Sequence, residues 1–212
     1  RAGRPGPTLV DLPKDVTLDE TDEEPGDAEA PAGTDPDPSA RADAVEAAAR
    51  AIESADKPVC LFGGGVIKGE ASETAREFAR TYEIPVVTTM PGIGSFPEDD
   101  ELCLSWAGMH GTGYANMAIT HTDCLVAVGT RFDDRLTGGI DTFAPEAEVV
   151  HIDIDPAEIS KNVYADYPLV GDAATVLEQL DGAIDTTPAA DDWREQCRAW
   201  KETYPMTYAA PD

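Results

Sequence analysis

The chain has 212 residues, 42% of them hydrophobic, and it carries 42 acidic against 15 basic residues, a formal net charge of −27. It is long enough to bury the core of one domain or somewhat more. Nucleic acid is an unsuitable ligand, because phosphates are bound by basic patches. The sequence has no apolar run of membrane-spanning length and no signal-peptide layout at its start, so we expect no membrane contact and a cytoplasmic location.

The acidic residues are spread along the whole chain. Self-repulsion of this size opposes folding unless salt screens it, so the charge indicates a halophilic protein. An acidic surface made for a basic partner is the alternative interpretation. The cysteines lie far apart without metal-ligand spacing, and we expect reduced, buried thiols at Cys60, Cys103, Cys124 and Cys197.

The first 38 residues differ in composition from the rest. Residues 7 to 12, "PTLVDL", are predicted to form a strand. Residues 17 to 38 contain acids, Pro and Gly with almost nothing apolar, which is typical of a linker or exposed loop. Ser39 is a candidate cap for a helix whose apolar residues, from Val45 to Ile52, share one face.

Apolar strands then alternate with helices. We predict helices around residues 75 to 82, 113 to 121, 156 to 162, where Pro156 suits a first turn, and 173 to 184, and a further helix with Trp193, Cys197 and Trp200. The predicted strands are residues 58 to 62, 84 to 89, 123 to 128, 148 to 153 and 167 to 170. This alternation predicts an α/β fold, a doubly wound parallel sheet of Rossmann-like type.

In such a sheet, ligands bind beyond the carboxyl ends of the strands. Five loops follow the predicted strands: "GGGVIKG", "TTMPGIGSF", "GTRFDDRLTGG", "HIDIDPAE" and "VGD". Gly63, Gly64 and Gly65 would let a backbone approach a phosphate, but Lys68 stands where a dinucleotide fingerprint needs a third glycine. Taken alone, the glycines are therefore better explained by a simple tight turn than by a binding site.

Charged side chains in the later loops are also candidates. Asp153 can accept hydrogen bonds from ribose hydroxyls or cap a following helix, and Glu158 is either a site residue or a solvated acid. Arg131 and Arg135 suit phosphate or a flat ring, with Asp133 and Asp134 orienting them, unless the loop is held by an internal salt bridge. His110 lacks a second ligand at metal spacing, so we expect no metal site.

Two stretches resemble one family. The run "AGMHGTGYANMAITHTDCLVAVGTRFDDRLTGGIDTFAPEAEVVHIDIDPAEISKN" is similar to the central domain of the acetohydroxyacid synthase (acetolactate synthase) large subunit, and "GRPGPTLVDLPKDV" resembles the end of the domain that precedes it. "RFDDR", with "GMHG" before it and "HIDIDPAEI" after it, carries the resemblance.

The resemblance implies a transferase of branched-chain amino-acid biosynthesis that depends on thiamine diphosphate and magnesium. It condenses two pyruvates to acetolactate, or pyruvate with 2-oxobutyrate. It also implies a flavoprotein, with an FAD that takes no redox part held by this domain. By motif, Arg131 would face the FAD phosphates, Asp153 the ribose or adenine, and Arg135 the substrate channel. The remaining FAD residues implied are Arg4, Gly63, Gly64, Thr89, Met90, Met109, His110, Gly111, Gly129, Asp134, Ile154, Glu158 and Asp172.

The departures limit what this chain is expected to do alone. The family's pyrimidine-activating glutamate and its diphosphate-magnesium motif belong to other domains and have no match here. We therefore expect a fragment without catalytic residues or a metal site, which needs the rest of its polypeptide. It would form a homodimer or tetramer at full length, with a small regulatory subunit as a further partner. Asp100 and Ser160 stand where the family often has His and Gly.

The expected organisation has three parts. Residues 1 to 38 are the end of a preceding domain plus an acidic linker, 39 to 185 the FAD-binding domain, and 186 to 212 a helix and linker toward a further domain. Two alternatives remain: the central domain of another thiamine-diphosphate enzyme, of the glyoxylate carboligase or pyruvate oxidase type, or a stand-alone nucleotide-binding module.

Overall fold

The computed structural model describes residues 3–4, 6–7, 9–22 and 38–207. The chain divides into two units, residues 1–36 and 37–212. In the described part of the first unit, one short helix, α1 (Lys14–Leu18), is fully exposed. Most of the linker predicted for residues 17 to 38 lies outside the described residues.

The strand predicted for residues 7 to 12 is wrong. Thr8 lies outside the described residues, and the rest of the stretch has no regular secondary structure. Leu9 and Leu12 are 93% and 69% exposed. A strand forms only where a neighbouring strand can pair with it through hydrogen bonds, and a pattern of apolar residues does not show whether such a neighbour exists.

The second unit is built on one sheet of six parallel strands. The two central strands are buried at every residue, as expected of a sheet covered on both faces. Their register pairs Pro58 with Cys124 and Phe62 with Val128. The six strands are β1 (Pro58–Phe62), β2 (Val86–Thr88), β3 (Cys103–Trp106), β4 (Cys124–Val128), β5 (Glu148–Asp153) and β6 (Tyr167–Val170).

The strand order is β3-β2-β1-β4-β5-β6. The chain runs outward from β1 to β3, returns to β4 beside β1, and then continues outward on the other side. Between β1 and β4 the direction of winding reverses, and this is the point where open α/β sheets form a crevice for ligands. The predicted doubly wound, Rossmann-like parallel sheet is confirmed.

Helices cover both faces of the sheet. One face packs against α2 (Ala42–Ser54), α4 (Ser72–Thr81) and α7 (Ala173–Asp181), which bury Ile52, Phe78 and Leu177. The other packs against α5 (Gly113–His121) and α8 (Asp191–Thr203). Two short helices, α3 (Gly64–Lys68) and α6 (Asp134–Thr137), and 3₁₀ turns at Met90–Gly92 and Ile140–Thr142, lie in the connections.

The carboxyl-terminal helix belongs to this packing. Trp193 is buried and donates its indole N–H to the Pro58 carbonyl at 3.1 Å, and Lys201 donates to the Cys103 carbonyl at 2.8 Å. Trp193 and Trp200 also meet edge to face, with ring centroids 5.5 Å apart. The helix predicted around these tryptophans is confirmed, and it is tied to two strands of the sheet.

Several local predictions are wrong. Ser39 is not the helix cap, because α2 begins at Ala42 after Arg41, without a side-chain cap. No helix forms over residues 156 to 162: residues 156 to 160 form turns and 161 to 163 bends. β3 and α3 were not predicted, the first because it has only four residues, the second because three glycines favour a turn.

The prediction of reduced, buried cysteines is confirmed. All four thiols are free and buried, and burial raises the pKa of Cys103 to about 11 and those of Cys124 and Cys197 to about 12. Burial also raises the pKa of Cys60. These thiols are therefore packing groups in their protonated form.

Candidate functional site

The candidate residues of the second unit lie in the loops after the six parallel strands. Because the carboxyl ends of parallel strands meet at one edge, these loops are neighbours. Gly63 and Gly64 follow β1, Thr89 and Met90 follow β2, Met109, His110 and Gly111 follow β3, Gly129, Arg131, Asp134 and Arg135 follow β4, Asp153, Ile154 and Glu158 end or follow β5, and Asp172 follows β6. Arg4 belongs to the separate unit of residues 1–36, and its part in the site stays a prediction.

Glycines bring the loops after β1 and β4 into direct backbone contact. The Gly65 N–H donates to the Gly129 carbonyl at 2.9 Å, and the Gly63 N–H donates to the Val128 carbonyl at 2.8 Å. A Cβ atom on Gly63 would lie 2.2 Å from the Gly129 carbonyl oxygen. A tight turn is not what forms here, because α3 begins at Gly64, but the backbone contact accounts for Gly63 and Gly65 without a ligand. The same contact also fixes the two loops that flank the crevice.

The loops after β3 and β4 meet in the same way. The Met109 N–H donates to the Arg135 carbonyl at 2.9 Å. Gly108 has φ of +110°, and a Cβ there would lie 2.5 Å from the same carbonyl oxygen. The Arg135 guanidinium approaches the Met109 sulfur at 3.8 Å, a weak acceptor, so most of its donors face solvent.

Arg131 forms an ion pair within its own loop, which the sequence analysis gave as the alternative to a ligand contact. Its guanidinium donates to Asp133 at 2.7 Å, and both side chains are about half exposed. An exposed pair of this kind contributes about 0–1 kcal/mol, so an anion that offers better geometry can displace the carboxylate. Asp133 orients Arg131 as predicted, whereas Asp134 begins α6 with its side chain exposed.

The end of β5 supplies buried acids. The Asp153 carboxylate accepts the Asp155 N–H through Oδ1 at 2.9 Å, and among the described residues its Oδ2 has no hydrogen-bond donor. Burial raises the pKa of Asp153, an effect opposed by the Asp155 N–H. The helix-cap interpretation of Asp153 is wrong, because no helix follows, and its side chain closes a turn instead.

Glu158 and Asp172 are both engaged within the protein. Glu158 is 5% exposed and pairs with Lys161 at 3.2 Å, so the interpretation of Glu158 as a solvated acid is wrong. Asp172 caps α7 by accepting the backbone N–H groups of Ala174 and Thr175, each at 3.1 Å. Its Oδ2 is turned toward Gly69, where an added Cβ would lie 3.9 Å away.

Apolar side chains are exposed around this edge. Met90 is 59% and Met109 63% exposed, and His110 beside them is exposed as well. Thr89 is buried, with its N–H donating to the Phe62 carbonyl at 2.9 Å, and Ile154 is half-buried. Soft methionine side chains, a carboxylate and two arginines along one edge of the sheet suit a ligand with a flat apolar ring, hydroxyls and negative charge.

A depression of about 500 Å³ lies elsewhere, between the β3 edge of the sheet and α8. Its lining includes four basic and four acidic side chains, so it has no preference for one sign of charge. Among the described residues, no cluster of three or more His, Cys, Asp or Glu is arranged to hold a metal ion. In the same part of the chain, no helix is both long and apolar enough to cross a bilayer.

Sequence reasoning did not identify two side chains that contact the Arg131 loop. His151 lies 2.9 Å from the Thr130 carbonyl through Nε2, and Asn162 donates to the Arg131 carbonyl at 3.0 Å. Both lie at least 21 residues from their partners in the sequence. No local pattern reports such contacts, although His151 within an apolar strand was a visible anomaly.

Comparison with known proteins agrees with this architecture. The chain is 45% identical over 212 residues to "Acetolactate synthase large subunit" of Parasynechococcus marenigrum (strain WH8102), which covers 97% of this chain and 34% of the relative. It is 46% identical over 213 residues to "Acetolactate synthase" of Mycobacterium bovis, covering 98% and 34%. It is 50% identical over 186 residues to "Probable acetolactate synthase large subunit" of Methanocaldococcus jannaschii, covering 86% and 31%.

The chain thus spans about a third of the length of these curated relatives. The family described as "Thiamine pyrophosphate enzyme, central domain" matches residues 45–180, which include most of α2, all six strands and most of α7. The match and the strand order are mutually consistent, and the chain belongs to the family of thiamine pyrophosphate enzyme central domains.

Proposed function

We propose that this chain is the FAD-binding central domain of an acetolactate synthase. The observation that carries the proposal is that the candidate residues of the second unit follow strands at one edge of the sheet, on both sides of the β1–β4 reversal point. The relatives named acetolactate synthase support the choice within the family, over the glyoxylate carboligase and pyruvate oxidase types.

The donor set fits a flavin dinucleotide. Arg131 holds an exposed guanidinium whose partner, Asp133, can be exchanged for a phosphate. Asp153 offers Oδ2 to a ribose hydroxyl, and partial burial strengthens such a bond. Met90 and Met109 offer exposed apolar surface to a ring. FAD would supply a bound flat ring and two phosphates, and this chain's part is to hold and orient them.

The wider activity follows from the resemblance and is part of the proposal. The full-length protein would use thiamine diphosphate and Mg²⁺, held by other domains of the same polypeptide. It would condense two pyruvates to acetolactate, or pyruvate with 2-oxobutyrate, in the cytoplasm. Arg135 would face the substrate channel, where its solvent-facing donors suit a carboxylate. This chain alone would be inactive, and the assembled protein a homodimer or tetramer with a small regulatory subunit.

The test is flavin titration of the full-length protein in molar KCl, with two matched variants. Arg131 and Arg41 are both exposed arginines paired with an aspartate two residues later, so Arg41→Ala removes the same kind of ion pair at a residue that is not among the predicted FAD ligands. A charged hydrogen bond contributes about 1.5–3 kcal/mol, so Arg131→Ala should weaken FAD binding about 10- to 100-fold. Arg41→Ala should leave it unchanged.

Two results would contradict the proposal. The first is a folded wild-type protein that binds no FAD at saturating concentration. The second is equal FAD affinity for Arg131→Ala and Arg41→Ala, because the arginine after β4 would then have no contact with the cofactor.

A further inference from the structure

The loop between β4 and α6 has an uncommon backbone. Phe132 has φ of +51°, a left-handed conformation that bulky residues rarely adopt. Its ring is 2% exposed and meets Phe143 and His151 edge to face, with centroids 5.8 and 4.9 Å apart. A strained conformation persists only where its surroundings hold it, and such positions are concentrated at functional sites.

Three consecutive carbonyls of this loop accept hydrogen bonds from two side chains. The Thr130 carbonyl lies 2.9 Å from His151 Nε2. Asn162 Nδ2 donates to the carbonyls of Arg131 and Phe132, at 3.0 and 3.2 Å. These bonds fix the backbone on both sides of the Arg131 side chain. Without the bonds from Asn162, the Arg131 and Phe132 carbonyls would need water as their donor, and the loop could take other conformations.

The proton on His151 follows from this geometry. A carbonyl can only accept, so Nε2 must carry the hydrogen that it donates to Thr130. Burial lowers the pKa of His151, while the Thr130 carbonyl, Asp153 and Glu158 act in the opposite direction. The imidazole is therefore neutral, and its buried Nδ1 has no partner among the described residues. The single hydrogen bond of this fully buried side chain is made to the Arg131 loop.

We infer that His151 and Asn162 are positioning residues, which hold the backbone of residues 130–132 so that Arg131 is presented to an anionic ligand in a preset geometry. The inference rests on the proposed FAD site for the identity of that ligand. The contacts described above place these two side chains against the loop's carbonyls, so they act through Arg131. Fixing a loop before binding removes the entropic cost of ordering it in the complex.

The first measurement compares FAD affinity among full-length variants in molar KCl. His151→Leu and Asn162→Leu remove the donors, whereas His151→Gln keeps an amide donor at a similar reach. Ile52→Val is the control, since Ile52 is equally buried but packs on the opposite face of the sheet. Loss of one bond corresponds to about tenfold weaker binding, which we expect for His151→Leu, and Asn162→Leu, which loses two bonds, should weaken binding by at least as much. His151→Gln should stay within about threefold of wild type, as should the control.

The second measurement needs no flavin. Amide hydrogen exchange of the peptide covering residues 129 to 137, measured in flavin-free protein, should be at least about tenfold faster in His151→Leu, because the loop opens more often. It should be unchanged in His151→Gln and Ile52→Val. If the substitution only lowered the global stability, exchange would instead be faster throughout the second unit.

The two measurements separate the inference from the proposed function. If wild type binds no FAD, the proposed function fails and the exchange data alone decide whether the loop is held. The inference is overturned if His151→Leu binds FAD as tightly as wild type does. It is also overturned if its FAD affinity is no weaker than that of the Ile52→Val control. Unchanged exchange of the loop in His151→Leu would overturn it independently.

Discussion

Replacing Gly129 with alanine should strongly destabilise this protein, because Gly129 combines a left-handed backbone with close contact between two loops at the carboxyl edge. Gly129 has φ of +60°, and a Cβ there would lie 2.6 Å from Gly65 Cα and 2.8 Å from the Gly65 carbonyl carbon. Both neighbours are backbone atoms, which cannot rotate away as the end of a side chain can. The substitution therefore forces the loops after β1 and β4 apart.

The expected magnitude has two parts. The left-handed conformation costs about 1–2 kcal/mol for a residue with a Cβ, and overpacking adds about 1–3 kcal/mol, so Gly129→Ala should lose about 2–5 kcal/mol. Gly138 has φ of +58° but open space around its Cβ direction, so Gly138→Ala should show the backbone strain alone, about 1–3 kcal/mol. Gly113→Ala, in ordinary contact at the start of α5, should change stability by less than about 1 kcal/mol.

Urea unfolding in a fixed molar concentration of KCl measures all three variants on one scale. The order of stability should be Gly113→Ala, then Gly138→Ala, then Gly129→Ala. If Gly129→Ala is no less stable than Gly138→Ala, the contact between the two loops is not tight, and the structural reason given for glycine at Gly65 and Gly129 is refuted.

Three further predictions concern charge, protonation and strain. Because the net charge is −27, the midpoint of thermal unfolding should rise as KCl is added. The rise should level off at about 1 M, where the Debye length is about 3 Å. A midpoint that does not change with KCl would contradict halophilic adaptation. Burial lowers the pKa of His151 from 6.5 in the folded protein. The free energy of unfolding should therefore be unaffected by this group above pH 6.5 and should fall as the pH drops below 6.5. Wild type should lose up to about 1.4 kcal/mol per pH unit more than His151→Gln, and parallel urea-unfolding profiles would argue against a buried neutral imidazole. Ser160 has φ of +55°, and its hydroxyl accepts the Ala165 N–H at 3.0 Å. Ser160→Ala and Ser160→Gly both lose this bond, but only the alanine keeps the backbone strain, so Ser160→Ala should be about 1–2 kcal/mol less stable to urea than Ser160→Gly. Equal stabilities would contradict the strain.

The sheet was predictable where each strand is a continuous apolar run. "PVCLF" and "DCLVAV" correspond to β1 and β4, which are buried at every residue because both faces of a parallel sheet are covered. β3 was missed for a physical reason. It has four residues, lies at the sheet edge, and pairs with β2 through a shifted register, so its sequence lacks a long apolar signal.

The helix predicted after β5 shows the limit of local propensity. Pro156 and the following residues suit a first helical turn, yet residues 156 to 160 form turns. Ser160 in a left-handed conformation interrupts any helix, and its hydroxyl accepts the Ala165 N–H, which closes the turn. Asn162, two residues further on, donates to the Arg131 carbonyl 31 residues away in sequence, a contact that no local pattern reports.

The candidate site could be predicted as a set of loops but not as a set of contacts. The alternation of strands and helices was sufficient to bring Arg131, Asp153 and Met90 to one edge of the sheet, because every parallel strand ends there. It could not tell which side chains are already engaged. Asp172 caps a helix and Glu158 is buried against Lys161, and both facts depend on packing that no spacing rule contains.

The glycines and Arg131 at this edge of the sheet therefore differ in whether the fold alone explains them. Gly63, Gly65 and Gly129 are required by the contact between two loops, and that requirement holds whether or not a ligand binds. Arg131 has no comparable structural reason, since an exposed pair with Asp133 adds little stability. Within the described part of the chain, Arg131 pairs with Asp133 alone. In a chain with 42 acids, such an arginine, on a backbone held by His151 and Asn162, fits the anionic ligand that we propose better than a role in folding.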